Sequence, residues 1–190
     1  MKLTSKFEKA LQYAARIHSK QKRKDTEIPY VSHLLGVASL ALEYGANEDE
    51  TIGALLHDAG EDAGGQGRID DIAKRFGKKA AAIVQGCTDT VENPKPDWLT
   101  RKKKYIAHIP KASKSVQLVS ACDKLHNAGS ILRDYQVIGE KFWNRFTAKK
   151  DGTLWYYREL VKAFRKAKTH KALINELDRV VSEIEKLSRS

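Results

Sequence analysis

The residues able to do chemistry concentrate in Leu55-Leu56-His57-Asp58-Ala59-Gly60-Glu61-Asp62. An imidazole and a carboxylate are adjacent there, and a second carboxylate pair follows. On a helix, Glu61 lies four residues after His57 and Asp62 four after Asp58, and residues at that spacing share a face. The apolar run Ala54-Leu55-Leu56 would carry such a helix into a core. Four polar groups at its end need neutralising, and a divalent metal is the simplest candidate. His33 upstream and Asp123 downstream complete an ordered donor set. Two imidazoles and two carboxylates, with no thiolate, suit a borderline-to-hard ion such as Mn, Fe, Zn, Co or Mg. Such a set leaves positions open on an octahedral ion, which marks a catalytic rather than a structural site. Water at an open position becomes acidic, and the resulting hydroxide is a nucleophile at neutral pH. Glu61 or Asp62 would take a proton from it or hand one to a leaving group. Arg23 and Lys24, with Lys124 or Arg101, could neutralise phosphate oxygens. These parts together describe phosphoester or pyrophosphate hydrolysis.

The elements that must position them read as helices. Phe7, Ala10, Leu11, Ala14 and Ile17 recur at helical spacing, so a first helix covers Ser5 to His18, with His18 in a packing or capping role. Pro29 forces Ile28 toward extended backbone, which makes Gln21 to Tyr30 a basic loop. A second helix runs from Ser32 to Tyr44, carries His33 in its first turn and stops at Gly45. A third starts near Asp49 and ends in the Asp58 to Asp62 cluster, followed by a flexible glycine turn. Helices are expected over Ile69 to Phe76 and Lys78 to Cys87, then a loop from Thr88 to Pro96. Asp97 caps the next helix, whose Arg101-Lys102-Lys103-Lys104 run reads as a solvated face apart from the phosphate role open to Arg101. Ser113 or Ser115 opens the helix that holds Asp123. Asp151-Gly152 is expected to break the aromatic-rich region into two helices, and an amphipathic helix closes the chain from Ala172 to Leu187. The period-two alternation of strands persists nowhere, so the fold class is all-α.

A chain of 190 residues is most simply one domain, residues 1–190, with room for a real core. Its net charge of +11 favours a polyanionic partner: nucleic acid, an anionic membrane surface or a phosphate-rich small molecule. Nucleic acid is disfavoured because no recognisable binding motif accompanies the charge. No apolar run approaches the roughly 20 residues needed to span a bilayer, and the N-terminus has no apolar signal core. Two cysteines, Cys87 and Cys122, read as reduced structural thiols. The expectation is a soluble cytoplasmic protein without a membrane partner. Self-association stays open, since the last helix can pack on its own core or on a second copy.

The ordered set His33, His57-Asp58, Asp123 resembles the signature of the HD phosphohydrolase superfamily. The likeness extends to Lys22-Arg23-Lys24-Asp25, Pro29-Tyr30, Ala54 to Asp62, Phe76-Gly77 and Cys122-Asp123-Lys124-Leu125-His126-Asn127. Over about Phe7 to Phe164 the chain is similar to the hydrolase domain of the RelA/SpoT alarmone enzymes, above all to the stand-alone small alarmone hydrolases and metazoan SpoT homologues. The resemblance implies an HD-type bundle of roughly eight to ten helices and Mn-dependent removal of the 3′-pyrophosphate from (p)ppGpp or (p)ppApp. It implies that His33, His57, Asp58 and Asp123 hold Mn2+, and that Glu61 and Asp62 orient or activate water. It further implies that Arg23 lies against the purine with Lys24 close by, that Asn127 binds near the ribose and 3′ phosphate, and that Tyr156 contacts the nucleotide. No synthetase domain follows, so synthesis is not expected. Where the family commonly has Val and Thr around the Glu-Asp pair, this chain has Gly60 and Ala63. The alternatives are another HD phosphohydrolase, a 5′-nucleotidase or an NADPH phosphatase, and a nucleic-acid-binding or regulatory module with a vestigial metal site.

Overall fold

Two helices buried on every side form the centre. Every residue from Thr51 to Leu56 is buried in one, and Val116 to Asp123 are continuously buried in the other. A helix apolar all round belongs in the middle of a bundle, and these two carry metal-donor candidates. The computed structural model describes residues 2–92 and 94–189. Among them the α-helices are α1 (Ser5–Ile17), α2 (Val31–Glu43), α3 (Glu48–Leu56), α4 (Ala59–Asp62), α5 (Gly65–Phe76), α6 (Lys78–Cys87), α7 (Trp98–His108), α8 (Lys114–Ile138), α9 (Lys149–Ala167) and α10 (Lys171–Leu187). Single 3-10 segments, Ile109–Lys111 and Gly139–Arg145, flank α8. No strand forms among the described residues; the nearest thing is one antiparallel bridge between Lys22 and Pro29. The protein is all-α, as the sequence predicts.

Local chemistry sets the helix starts. Thr4, Asn47, Asp97 and Ser113 each accept a backbone N–H of the first turn, and Asn47 and Glu50 form a reciprocal capping box. Each such cap contributes about 1 kcal/mol. α2 packs on α3 and α8, α3 on α6, and α10 on α8 and α9. The apolar face of α10, with Leu173, Leu177 and Val181, is therefore buried in the chain's own core.

Three expectations need correction. α3 does not run through to Asp62: it ends at Leu56, Asp58 sits at φ −92° and ψ −2°, and a new turn begins at Ala59. The glycines after Asp62 are not all turn. Gly64 (φ 131°) and Gly65 (φ 59°) make the reversal, but Gly65 to Gly67 already form the first turn of α5, braced by Arg68 Nε donating to the Ala63 carbonyl (2.7 Å). Asp151-Gly152 does not break the aromatic region. Gly139 (φ 66°) ends α8, and the break runs to Ala148, where Phe142 and Trp143 turn into the core. Gly152 lies inside α9, where a Cβ would meet the Ala148 methyl at 2.6 Å.

Candidate active site

The donors come from three places that α2, α3 and α8 bring together. His33 is in the first turn of α2, His57 and Asp58 form the junction between α3 and α4, and Asp123 lies mid-way along α8. His33 Nε2 is 3.3 Å from His57 Nε2, 3.2 Å from Asp123 Oδ1 and 3.6 Å from Asp58 Oδ2. His57 Nε2 is 2.9 Å from Asp58 Oδ2 and 3.5 Å from Asp123 Oδ1. Octahedral donors about 2.1 Å from an ion stand about 3 Å apart across a right angle, so these separations fit one divalent ion.

The imidazoles are also oriented for it. His57 Nδ1 lies 2.8 Å from the Ala54 carbonyl, one of the acceptors that the end of α3 leaves free. Donating there leaves the Nε2 lone pair for a metal. Tyr30 donates to Asp58 Oδ2 (2.6 Å), and His33 Nδ1 lies 2.9 Å from His126 Nδ1. Burial and the His33 and Arg23 charges push His126 down to about 4, so it is neutral and its Nδ1 can accept a hydrogen bond from His33 Nδ1–H. Gly36 makes room for this pair, since a Cβ there would meet His126 Nε2 at 2.2 Å.

The local charges reinforce one another. Burial raises the carboxyls of Asp58 and Asp123, but cationic neighbours outweigh it and hold both well below the usual carboxylate range. Those neighbours are His57 for Asp58, and Lys124 and His57 for Asp123. Burial likewise depresses His57 and Lys124, yet the facing carboxylates raise both. Asp62 is shifted the other way: burial and the Asp58 charge raise it, opposed by a hydrogen bond from Gln21. A raised carboxyl one turn from the donors suits proton transfer. Glu61, the residue before it, pairs with Lys95 at 2.8 Å.

A groove of about 450 Å³ opens against this cluster. Lys124 donates to Asp123 Oδ2 and Asn127 to Asp123 Oδ1, both at 2.6 Å, so the groove wall and the donor set share one carboxylate. Arg23 Nη2 donates to Asn127 Oδ1 (2.7 Å), which ties the loop after α1 to α8. Lys24, Lys102, Arg133 and Arg145 add positive charge to the lining. Tyr156 lines it too, and its buried hydroxyl has no protein partner. A donor left in that state beside a cationic groove suits a ligand acceptor.

The structure thus gathers His33, His57, Asp58 and Asp123, sets Glu61 and Asp62 on the adjoining turn, and places Arg23, Lys24, Lys124, Asn127 and Tyr156 in the groove. Arg101 is elsewhere: it pairs with Asp89 and donates to the Pro96 carbonyl (3.0 Å). Lys102 lines the groove in its place, also bound to Asp89 (2.9 Å). The Arg101-to-Lys104 run is therefore split, with Lys103 and Lys104 exposed and the first two turned inward. Sequence reasoning assigned no role to Tyr30, His126, Gln21 or Lys102. Tyr30 and His126 stand inside the motifs already singled out; Gln21 opens the basic loop, and nothing in its composition marks it.

A profile of the HD domain matches residues 10–154. The guanosine-3′,5′-bis(diphosphate) 3′-pyrophosphohydrolase MESH1 of Drosophila melanogaster is 35% identical over 145 residues, 75% of this chain and 76% of that protein. The Homo sapiens MESH1 is 34% identical over 138 residues, 71% of this chain and 72% of its own. The chain is an HD-domain protein of the MESH1 family. Among solved structures, a metazoan orthologue of SpoT, described as hydrolysing ppGpp with a role in starvation responses, covers 95% of this chain and 96% of its own. Its TM-score is 0.77 at 31% identity. The lmo0812 structure from Listeria monocytogenes EGD-e, with a TM-score of 0.70 at 23% identity, shares the fold. HD domains bind divalent metals, and the His33-His57-Asp58 cluster of this HD-domain protein has the composition and spacing for one. No helix among the described residues is long and apolar enough to cross a membrane.

Proposed function

We propose that this protein hydrolyses purine alarmones such as (p)ppGpp or (p)ppApp, releasing the 3′-pyrophosphate and a nucleoside 5′-di- or triphosphate. The observation that carries the reading is the continuity of a strongly cationic groove with a four-donor cluster through the shared carboxylate of Asp123. The MESH1 relatives are guanosine-3′,5′-bis(diphosphate) 3′-pyrophosphohydrolases by name, which supports a guanosine alarmone as substrate.

In this reading Mn2+ is held by His33, His57, Asp58 and Asp123 and supplies, when bound, an acidified water and charge neutralisation at the phosphate. Asp62, its carboxyl raised by burial, takes the proton of the attacking water. Glu61, paired with Lys95, lies on the same turn and shares in proton movement toward the leaving 3′ oxygen. Lys124 and Lys102 face the pyrophosphate, where their charges offset those of its oxygens. Arg23 stacks on Tyr30 at 5.8 Å and is aligned by Asn127, which suits a guanidinium laid against a purine with Lys24 beside it. Asn127 reaches the ribose and 3′ phosphate, and the free hydroxyl of Tyr156 donates to the nucleotide. One domain spans residues 1–190, acts in the cytoplasm, and uses neither nucleic acid nor a membrane.

The test is product analysis by anion-exchange chromatography. Metal-stripped protein plus Mn2+ is incubated separately with ppGpp, ppApp and NADPH, beside an Asp58→Ala control. Pyrophosphate with GDP or ADP, absent from the control, is the expected result, and the relative rates name the base. Release of orthophosphate alone would move the assignment to a nucleotidase or NADPH phosphatase. Intact substrates with every divalent ion would end the alarmone reading.

A further inference from the structure

Asp62 sits on α4, a helix of four residues that contains Gly60 and is followed by Gly64 and Gly65. So short a helix, next to glycines, has little stiffness of its own. The anchor for its carboxylate comes instead from the far side of the site, through the loop that follows α1. Gln21 Nε2 donates to Asp62 Oδ2 at 2.9 Å. That bond fixes which way the amide points, so Gln21 Oε1 must face His18, whose Nδ1 is 2.5 Å away and donates to it. The main chain holds Gln21 on both sides: its N–H donates to the His18 carbonyl (3.0 Å), and its carbonyl accepts from Tyr30 (2.9 Å). His18 itself caps α1, is 2% exposed and stacks on Tyr30 at 5.4 Å with 27° between the rings. Tyr30 in turn donates to Asp58. One buried imidazole therefore braces two carboxylates, Asp58 through a stacked phenol and Asp62 through an amide.

We infer that His18 and Gln21 are positioning residues for Asp62. Gln21 occupies one carboxylate oxygen, Oδ2, and leaves Oδ1 to face the reacting water; His18 locks the amide in the orientation that does this. Neither residue touches the substrate. The inference rests on the function proposed above for Asp62, and it adds residues that no ligand contact would reveal.

The experiment compares Gln21→Met, which keeps the side-chain length and removes the donor, with the wild-type chain. Gln21 is partly exposed on a loop, so the variant is expected to fold. The kcat should fall about tenfold to a hundredfold while KM and the Mn2+ affinity measured by calorimetry stay within about twofold, the pattern of a misplaced proton acceptor. In an Asp62→Asn background the same substitution should cost nothing further. His18→Asn, whose amide stands where Nδ1 stood, should retain most of the activity, and His18→Phe, which keeps the stack alone, should reproduce Gln21→Met. A kcat unchanged in Gln21→Met, or an equal loss in both backgrounds, overturns the inference. Should the wild-type chain leave alarmones intact, the substrate assignment fails separately. The pair is then judged by the crystal structure of Gln21→Met, in which Asp62 should have left its wild-type position; a carboxylate still in place overturns the pairing.

Discussion

Replacing Gly36 by alanine should weaken metal binding without unfolding the protein. Gly36 faces α8 one turn after His33, where an added methyl would lie 2.2 Å from His126 Nε2 and 2.3 Å from its Cδ2. Ordinary contact needs about 3.5 Å, so the ring must retreat by more than 1 Å. The His33–His126 bond, now 2.9 Å, would then exceed hydrogen-bonding range. Loss of such a partner behind a metal-bound imidazole typically costs about ten- to hundredfold in affinity, about 1.4–2.7 kcal/mol. Alanine meanwhile favours the helical backbone over glycine by about 1 kcal/mol. Metal-free Gly36→Ala should therefore melt near the wild-type temperature, while calorimetric titration with Mn2+ shows the weaker binding. Combining it with His126→Ala removes the clash, and that double variant should bind like His126→Ala alone. If Gly36→Ala binds Mn2+ as tightly as wild type, His126 does not support His33 as a metal ligand.

Chelation should lower the melting temperature. An ion present at a hundred times its Kd stabilises by about 2.7 kcal/mol, which for this length is about 5–10 °C, and Asp58→Ala should abolish that increment in a thermal scan. Lys102→Ala should raise KM for the alarmone about tenfold, whereas Arg101→Ala, which strips a cation from a largely buried Asp89, should instead destabilise by about 1–3 kcal/mol in urea. Tyr30→Phe removes the phenol bonded to Asp58 and should weaken Mn2+ binding several-fold in the same titration. Burial pushes the Cys87 thiol up to about 11 and Cys122 to about 12, so neither is ionised at pH 8. Both should resist a thiol-specific dye in the native protein and react within minutes in denaturant.

The candidate donors could be picked out of the sequence because their chemistry is local. His57-Asp58 follows an apolar run, and Asp123 stands amid apolar neighbours where a carboxylate alone would be costly. Helix limits were legible where a cap or a glycine at positive φ enforced them, as at Asp97 and Gly45, while Ser113 and Ser115 both offered a cap and only Ser113 is used. What stayed hidden was direction. Arg101 and Lys102 are neighbours in a run of four cations, and nothing in that run says which one the turn of α7 aims at the groove. Gly65 to Gly67 look like a loop because glycine is a poor helix former, yet their cost falls in a first turn that Arg68 braces. Asp151-Gly152 reads as a breaker, although the break belongs to Gly139 and the aromatic cluster of Phe142, Trp143 and Phe146, which only tertiary packing could reveal. Gly36 and His126 lie on different helices far apart in sequence, and their dependence on each other exists only after α2 has docked on α8.

That docking has a kinetic consequence. The donors are scattered from the start of α2 to the middle of α8, and no two of the three segments can chelate well until the helices between them are in place. An ion therefore finds its site only when the chain is nearly native, too late to speed the collapse that leads there. It should act on the reverse path, by holding α2, the α3–α4 junction and α8 together against the first separation. Stopped-flow traces should show refolding that is indifferent to added Mn2+ and an unfolding rate whose logarithm falls in proportion to the binding free energy. The same ion would then set how long a folded molecule lasts as well as what it can hydrolyse.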